Sequence, residues 1–188
     1  MKVIIIDGPD NTGKNMVIQD LLEHYDSVKI IHCHKPENSA DDPLREMRKV
    51  YFYHTDTLCE DMKHRTADVV VFNRYYIGEW VYGQMYRDES PIDIWILIQE
   101  IEHRLITNIG RDNIYYIQLL SSSPELLMRN DDGRSLSNGE FDKISKELSM
   151  FKKAYGFSRL NKKIIYINEG DRFRPKQDII KEVHQFIS

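Results

Sequence analysis

The sequence predicts an α/β domain, a five-stranded parallel sheet flanked by helices. Three observations lead there. Short β-branched runs recur at 3–6, 28–31, 69–72, 114–119 and 164–167. None alternates with polar residues, so each is expected to be a strand buried on both faces. Helical patterns separate the runs, the arrangement that yields parallel strands with crossover helices. The first run also passes directly into a glycine-bounded loop and then a helix.

That opening stretch reads VIIIDGPDNTGKNM over 3–16. Gly8 and Gly13 bound the loop, Lys14 follows, and Val17, Ile18, Leu21, Leu22 and Tyr25 then recur at helical spacing. Buried strand, glycine-bounded loop, lysine and helix form the context of a phosphate-binding loop (P-loop). The glycines let backbone N–H groups turn toward one anion, the helix N-terminus adds partial positive charge, and Lys14 supplies a full charge. Asn15 occupies the position where a Ser or Thr normally holds Mg²⁺ in such loops.

The second run leads into His32-Cys33-His34-Lys35-Pro36-Glu37. No second ligand pair accompanies it, so a loop at the sheet edge accounts for it better than a zinc site. Residues 43–62 form a polar helical pattern with scattered aromatics. The third run ends in Asn73-Arg74-Tyr75-Tyr76, and a segment rich in aromatics, Gly and Gln continues to Arg87. An arginine directly after a buried strand emerges beside the phosphate loop, where it can grip a second anion bidentately. The aromatic segment reads as a pocket wall. Residues 92–108, dense in Ile, Leu and Trp, fit either a dimer interface or a core helix.

After the fourth run, 124–129 is followed by the polar loop NDDGRSLSNG at 130–139. Such a loop either closes over a bound nucleotide, bringing an arginine with it, or is simply solvated. Residues 140–157 place Phe141, Ile144, Leu148, Phe151 and Tyr155 on one helical face, and 178–187 closes the chain similarly. Right-handed crossovers bring the C-terminal ends of all the strands to one edge, where the chemistry is expected.

At 188 residues the chain is expected to be one domain with a continuous core. A net charge of -4 argues against a broad nucleic-acid or membrane surface. Two cysteines suit a reducing compartment. With no leader-like segment and no apolar run long enough to span a bilayer, the expectation is a cytoplasmic protein.

Together GPDNTGKN, NRYYIGEWVYGQMYR and RNDDGR make the whole chain resemble the thymidylate kinase family of P-loop nucleoside monophosphate kinases. Within that family it looks most like the small deoxynucleoside monophosphate kinases of bacteriophages, which work in the host cytoplasm. The resemblance implies ATP as phosphoryl donor, Mg²⁺ as cofactor and a deoxynucleoside monophosphate, a pyrimidine such as dTMP or a modified dUMP, as acceptor. It places an acceptor region at about 35–90 and a lid at about 129–139, and family members are commonly homodimers. Gly8, Asn11, Thr12, Gly13 and Lys14, with Asn15 and Met16 opening the helix, would wrap the ATP phosphates. Asp10 would receive the acceptor's 3′-hydroxyl, Arg74 its phosphate, and Tyr82, eight residues after Arg74, would pack under the deoxyribose. Gln84 lies one residue from the family's base-reading glutamine. Tyr53 or Phe52 would offer an aromatic face to the base, and His34-Lys35-Pro36 loosely matches a family loop. Asn15 and the Asn73 that replaces an aspartate would help place Mg²⁺ indirectly, the ion being held mainly by ATP phosphates and water with an acidic residue such as Asp7 or Asp10 nearby.

Phosphoryl transfer also needs positive charge on the transferring group. The residues between the loop glycines are Pro9, Asp10, Asn11 and Thr12, with no arginine. In a kinase of this type the lid must then supply one, Arg134 first and Arg129 second. Two other functions stay open: a nucleotide-binding module weakened in catalysis by the two asparagines, and a P-loop kinase acting on modified bases in DNA, which the mildly acidic chain disfavours. Arg134→Ala is expected to lower turnover by orders of magnitude while ATP affinity stays nearly intact, as steady-state kinetics will show. Unchanged turnover would move the role to Arg129 or elsewhere.

Overall fold

A computed structural model describes residues 1–33, 42–133 and 135–188. Five parallel strands form the sheet: β1 (Lys2–Asp7), β2 (Val28–His32), β3 (Val69–Asn73), β4 (Ile114–Leu120) and β5 (Asn161–Tyr166), in spatial order β2-β3-β1-β4-β5. β1 is central, with Ile6 opposite Asn73 on one side and Ile117 on the other. Its side chains from Val3 to Ile6 are completely buried, as are Val70, Val71 and Phe72 of β3. The expectation of strands buried on both faces holds for these inner strands and is corrected at the edges. Most of β2 and β5 is only half-buried because each has a neighbour on one side alone. Both edges carry lysines, Lys29 paired with Asp61 at 2.5 Å and Lys162 donating to the Ser158 carbonyl at 2.6 Å. Charged side chains on an edge strand discourage pairing with another chain.

Helices α1 (Lys14–His24), α2 (Pro43–His64), α3 (Glu79–Tyr86), α4 (Pro91–Ile109), α5 (Pro124–Arg129), α6 (Phe141–Phe157) and α7 (Lys176–Ile187) flank the sheet. Several start where the local chemistry dictates. Asp42 accepts from the Arg45 N–H at 2.9 Å ahead of Pro43, and the Ser123 hydroxyl accepts from Leu126 N ahead of Pro124. Gly110, with φ at 85°, ends α4. One side of α4 packs Ile94, Leu97, Ile98, Ile101 and Leu105 into the core, while Ile92, Trp95 and Ile96 stay exposed. The helix therefore serves the core along one stripe and leaves a smaller apolar stripe outside.

Two elements escaped the sequence pattern. Helix α3 is an eight-residue helix within the aromatic segment, and a hairpin of β6 (Asn168–Glu169) and β7 (Arg172–Phe173) follows β5. Both are shorter than the windows over which periodicity becomes visible. Among the described residues, no helix is long and apolar enough to cross a membrane.

Candidate active site

The loop between β1 and α1 is fixed by one close approach. Gly8 has φ at 136°, and a Cβ there would lie 2.2 Å from the Leu119 carbonyl oxygen of β4. Only glycine fits. Asn11 and Gly13 also take left-handed backbone, at φ 61° and 81°, and the Thr12 hydroxyl donates to the Pro9 carbonyl at 2.9 Å. Gly13 stands at the N-cap of α1 without a side-chain cap, so first-turn N–H groups stay available to an anion. The Lys14 ammonium, buried, donates to the carbonyls of Gly8 (3.0 Å) and Pro9. Burial and the charge of Arg74 push it down to about 7, against the pull of Asp10 and Asp7.

Arg74 leaves the end of β3 in left-handed backbone, φ 63°, with its N–H on the Ile6 carbonyl at 2.9 Å. That turn sends the guanidinium back across the sheet edge toward the loop, where it pairs with Asp10 and lies 5.2 Å over the Tyr82 ring. Burial would lower Arg74, but Tyr82, Asp10 and Asp7 more than reverse this, so it remains a fixed cation. Asn73 donates to the Asn15 amide oxygen at 3.1 Å and lies 3.3 Å from His32 Nδ1.

Asp10, Asn11, Thr12, Gly13, Lys14, Asn15, Asn73 and Arg74 line one cavity of about 600 Å³, together with Asn130, Asp132, Ser135 and Phe173. That is the size range of small-ligand sites. The loop carrying Asn130, Asp132 and Ser135 is shaped by Asp131, which accepts from Gly133 N at 2.9 Å and from the Ser135 hydroxyl. Gly8 and Met16 support the cavity without lining it. Tyr82 is buried beneath Arg74.

Other expected residues fall elsewhere. Tyr53 is 67% exposed and is not among the residues lining this cavity. Phe52 is held between Arg48 and Arg104. The Gln84 amide donates to the Trp80 carbonyl, and Arg129 is exposed at the end of α5. Arg134 and the His34-Lys35-Pro36 stretch lie outside the described residues.

Glu147 and Phe173 were not anticipated, and Asp7 was expected only as an acidic group near the Mg²⁺. Asp7, completely buried, accepts from Gly8 N at 2.9 Å, while its Oδ2 has no hydrogen-bond partner. Burial raises it to about 6 despite that bond and the nearby Arg74 and Lys14 charges. Glu147 of α6 is buried, accepts from the Tyr86 hydroxyl, and is raised by burial. Its signal was present: a carboxylate between Ile144 and Phe151 on an apolar stripe. Phe173, on the hairpin, had no sequence signal.

Among the described residues no group of three or more His, Cys, Asp or Glu is arranged to hold a metal. Neutral amides at Asn15 and Asn73 fit hydrogen bonding to the waters of a Mg²⁺ carried in on phosphates.

The architecture and this loop define a P-loop α/β fold. No protein-family model matches the chain, and no curated protein matches it in sequence. Solved structures share its fold. The YorR protein of Bacillus subtilis, solved with phosphorylated GDP, aligns with a TM-score of 0.72 at 17% identity, over 99% of this chain and 95% of that one. A thymidylate kinase from Ehrlichia chaffeensis gives 0.60 at 12% identity, covering 100% and 98%. Polyphosphate Kinase 2 from Arthrobacter aurescens TC1 gives 0.58 at 13% identity, over 87% of this chain and 60% of that one.

Asp7 makes the site pH-sensitive. Its folded-state value lies above the ordinary 3.8, so the stability it contributes when protonated is lost as pH rises from about 4 through about 6. Asp7→Asn, whose amide oxygen still accepts from Gly8, is expected to melt above the wild type at pH 7, with the gap closing toward pH 4. Parallel melting curves across that range will check it.

Proposed function

We propose that this protein is a phosphotransferase that moves the γ-phosphoryl group of ATP onto a deoxynucleoside monophosphate, with a pyrimidine such as dTMP or a modified dUMP as the preferred acceptor. The observation that carries this reading is the placement of Lys14 and Arg74 on one cavity at the C-terminal edge of the sheet. The loop N–H groups and Lys14 receive the donor phosphates, and Arg74 receives the acceptor phosphate on the β3 side. Asp10, in exchange for Arg74, becomes free to accept from the acceptor's sugar hydroxyl. Tyr82 fixes Arg74 from below, so the acceptor phosphate is presented in one orientation. The donor's γ-phosphorus–oxygen bridge breaks as an acceptor phosphate oxygen bonds to that phosphorus, leaving ADP and a nucleoside diphosphate.

Little covalent work is asked of the protein. Its contribution is positioning and charge neutralisation. Bound Mg²⁺ would supply charge stabilisation on the phosphates, with Asn15 and Asn73 orienting its waters. Likeness in fold to a solved thymidylate kinase supports this reading. The same two neutral amides favour a second reading, a nucleotide binder with little turnover, because they bring no charge to the metal.

A coupled ADP-release assay across deoxynucleoside monophosphates separates the two. Turnover with a pyrimidine deoxynucleotide is expected, and Arg74→Ala is expected to abolish it chiefly by weakening the acceptor. A melting-temperature shift with nucleotide but no ADP from any acceptor would leave only the binder. Half-maximal activity is expected to need Mg²⁺ at or above the ATP concentration, and Asn73→Asp to lower that requirement severalfold. Saturation well below the ATP concentration in the unmodified protein would contradict an indirectly held ion.

A further inference from the structure

Arg74 is aimed by a backbone turn that residues with side chains rarely adopt. Its φ is 63°, and such a left-handed residue persists only where its surroundings hold it. Two contacts do so. Beneath the guanidinium lies the Tyr82 ring of α3. Tyr75, the next residue in the chain, is buried and anchored to α2. Its hydroxyl donates to the Tyr51 carbonyl at 3.0 Å and lies 2.7 Å from the Thr55 hydroxyl.

Tyr51 serves the other contact as well. Its ring meets Tyr75 edge-on, with centroids 5.4 Å apart, and its own hydroxyl donates to Glu79 at 2.5 Å. Glu79 opens α3 and stands about one helical turn before Tyr82. Its second carboxylate oxygen accepts from Arg87, just past the end of the same helix, and Arg87 donates in turn to Glu89 at 2.8 Å. Asp88, left-handed at φ 55°, folds the chain so that Arg87 and Glu89 both place their N–H groups on the Gly83 carbonyl, at 3.2 and 3.1 Å. Helix α3 is thereby clamped at both ends. The contacts close a ring that runs from Arg74 through Tyr75, Tyr51, Glu79 and Tyr82 back to Arg74, crossing the end of β3, α2 and α3.

Stability alone explains this ring poorly. Tyr51 and Glu79 are both buried, and a buried carboxylate–guanidinium pair gains little over apolar packing because both charges leave water. What such bonds supply is direction, since each has one favourable geometry. Both arms of the ring end at Arg74, so the direction is imposed there.

We propose that Tyr51 and Glu79 are positioning residues that hold the Arg74 guanidinium at the angle that receives the acceptor's phosphate. Neither is among the residues lining the cavity that holds Lys14 and Arg74, so they act through Arg74. The proposal rests on Arg74 being the acceptor-phosphate site, as in the function proposed above, and adds two residues that set how tightly that phosphate is held.

Calorimetric titration of the full chain with the four common deoxynucleoside monophosphates, their nucleosides and ATP tests it. A nucleoside lacks the phosphate that Arg74 holds, so it reports on the rest of the acceptor site. Tyr51→Phe keeps the ring against Tyr75 and the carbonyl that anchors it, and opens the relay only at Glu79. It is expected to weaken the best-bound monophosphate about tenfold, the equivalent of one hydrogen bond to a charged group. Its nucleoside and ATP are expected to bind as before. Glu79→Gln, which can still bond to Tyr51 and Arg87, is expected to lose less than Glu79→Ala. In a ¹⁵N spectrum of the arginine side chains, the buried Arg74 Nε–H, identified by its absence in Arg74→Ala, is expected to shift in Tyr51→Phe without any ligand. Equal weakening of monophosphate and nucleoside would assign Tyr51 a scaffolding role and overturn the proposal. So would monophosphate binding that Tyr51→Phe leaves unchanged, an unmoved Arg74 signal, or equal losses in the two Glu79 variants. Monophosphate binding undiminished in Arg74→Ala, or absent from the unmodified protein, overturns the acceptor-site reading itself. That failure is distinct from binding that needs Arg74 but ignores Tyr51.

Discussion

Lys14, buried, and Arg74, half-buried, are two basic groups set close enough for the charge of Arg74 to push Lys14 down. Alone, that pair would be costly, since buried charge is tolerated only with partners. The fold meets the constraint with carboxylates from three elements: Asp7 at the end of β1, Asp10 in the loop and Glu147 on α6. Asp10 pairs with Arg74, and loop carbonyls hold the Lys14 ammonium. Phosphate oxygens can replace these partners one for one, so the cations are kept in place by groups that a ligand is able to displace.

The same geometry depends on the parallel sheet. β1 sits between β3 and β4, so the residues just beyond three strand ends share one edge. Gly8 lies against the Leu119 carbonyl, which sets the loop's height above β4, while the left-handed turn at Arg74 directs its side chain back across β1. Neither approach survives if the register slips by one residue, because every side chain would then exchange faces.

How much of this could be read from the chain follows the length scale of each signal. The central strands and long helices were legible because burial imprints continuous or periodic apolar runs on them. The loop was legible because glycines, lysine and flanking elements must coincide there. Arg74 was legible as a charge placed directly after a buried strand. The surroundings of Tyr53 and Gln84 were not legible, because sequence spacing does not say which face of a helix meets the cleft. Tyr53 points to solvent, and Gln84 satisfies its amide on the Trp80 carbonyl within the same helix. Asp7 and Glu147 were visible as carboxylates among apolar neighbours, but their convergence on Lys14 exists only in three dimensions. Phe173 stands in a two-residue strand, too short to leave any pattern.

Asn168 joins two segments almost fifty positions apart: the turn at Ser121 and Ser122 that launches α5, and the hairpin that ends in Phe173. Because one side chain satisfies both, neither wall can be rebuilt by itself without orphaning polar groups of the other. For an engineer, or for natural drift, the two stretches therefore form a single exchangeable cassette. A chimera that swaps one and keeps the other inherits a mismatched seam.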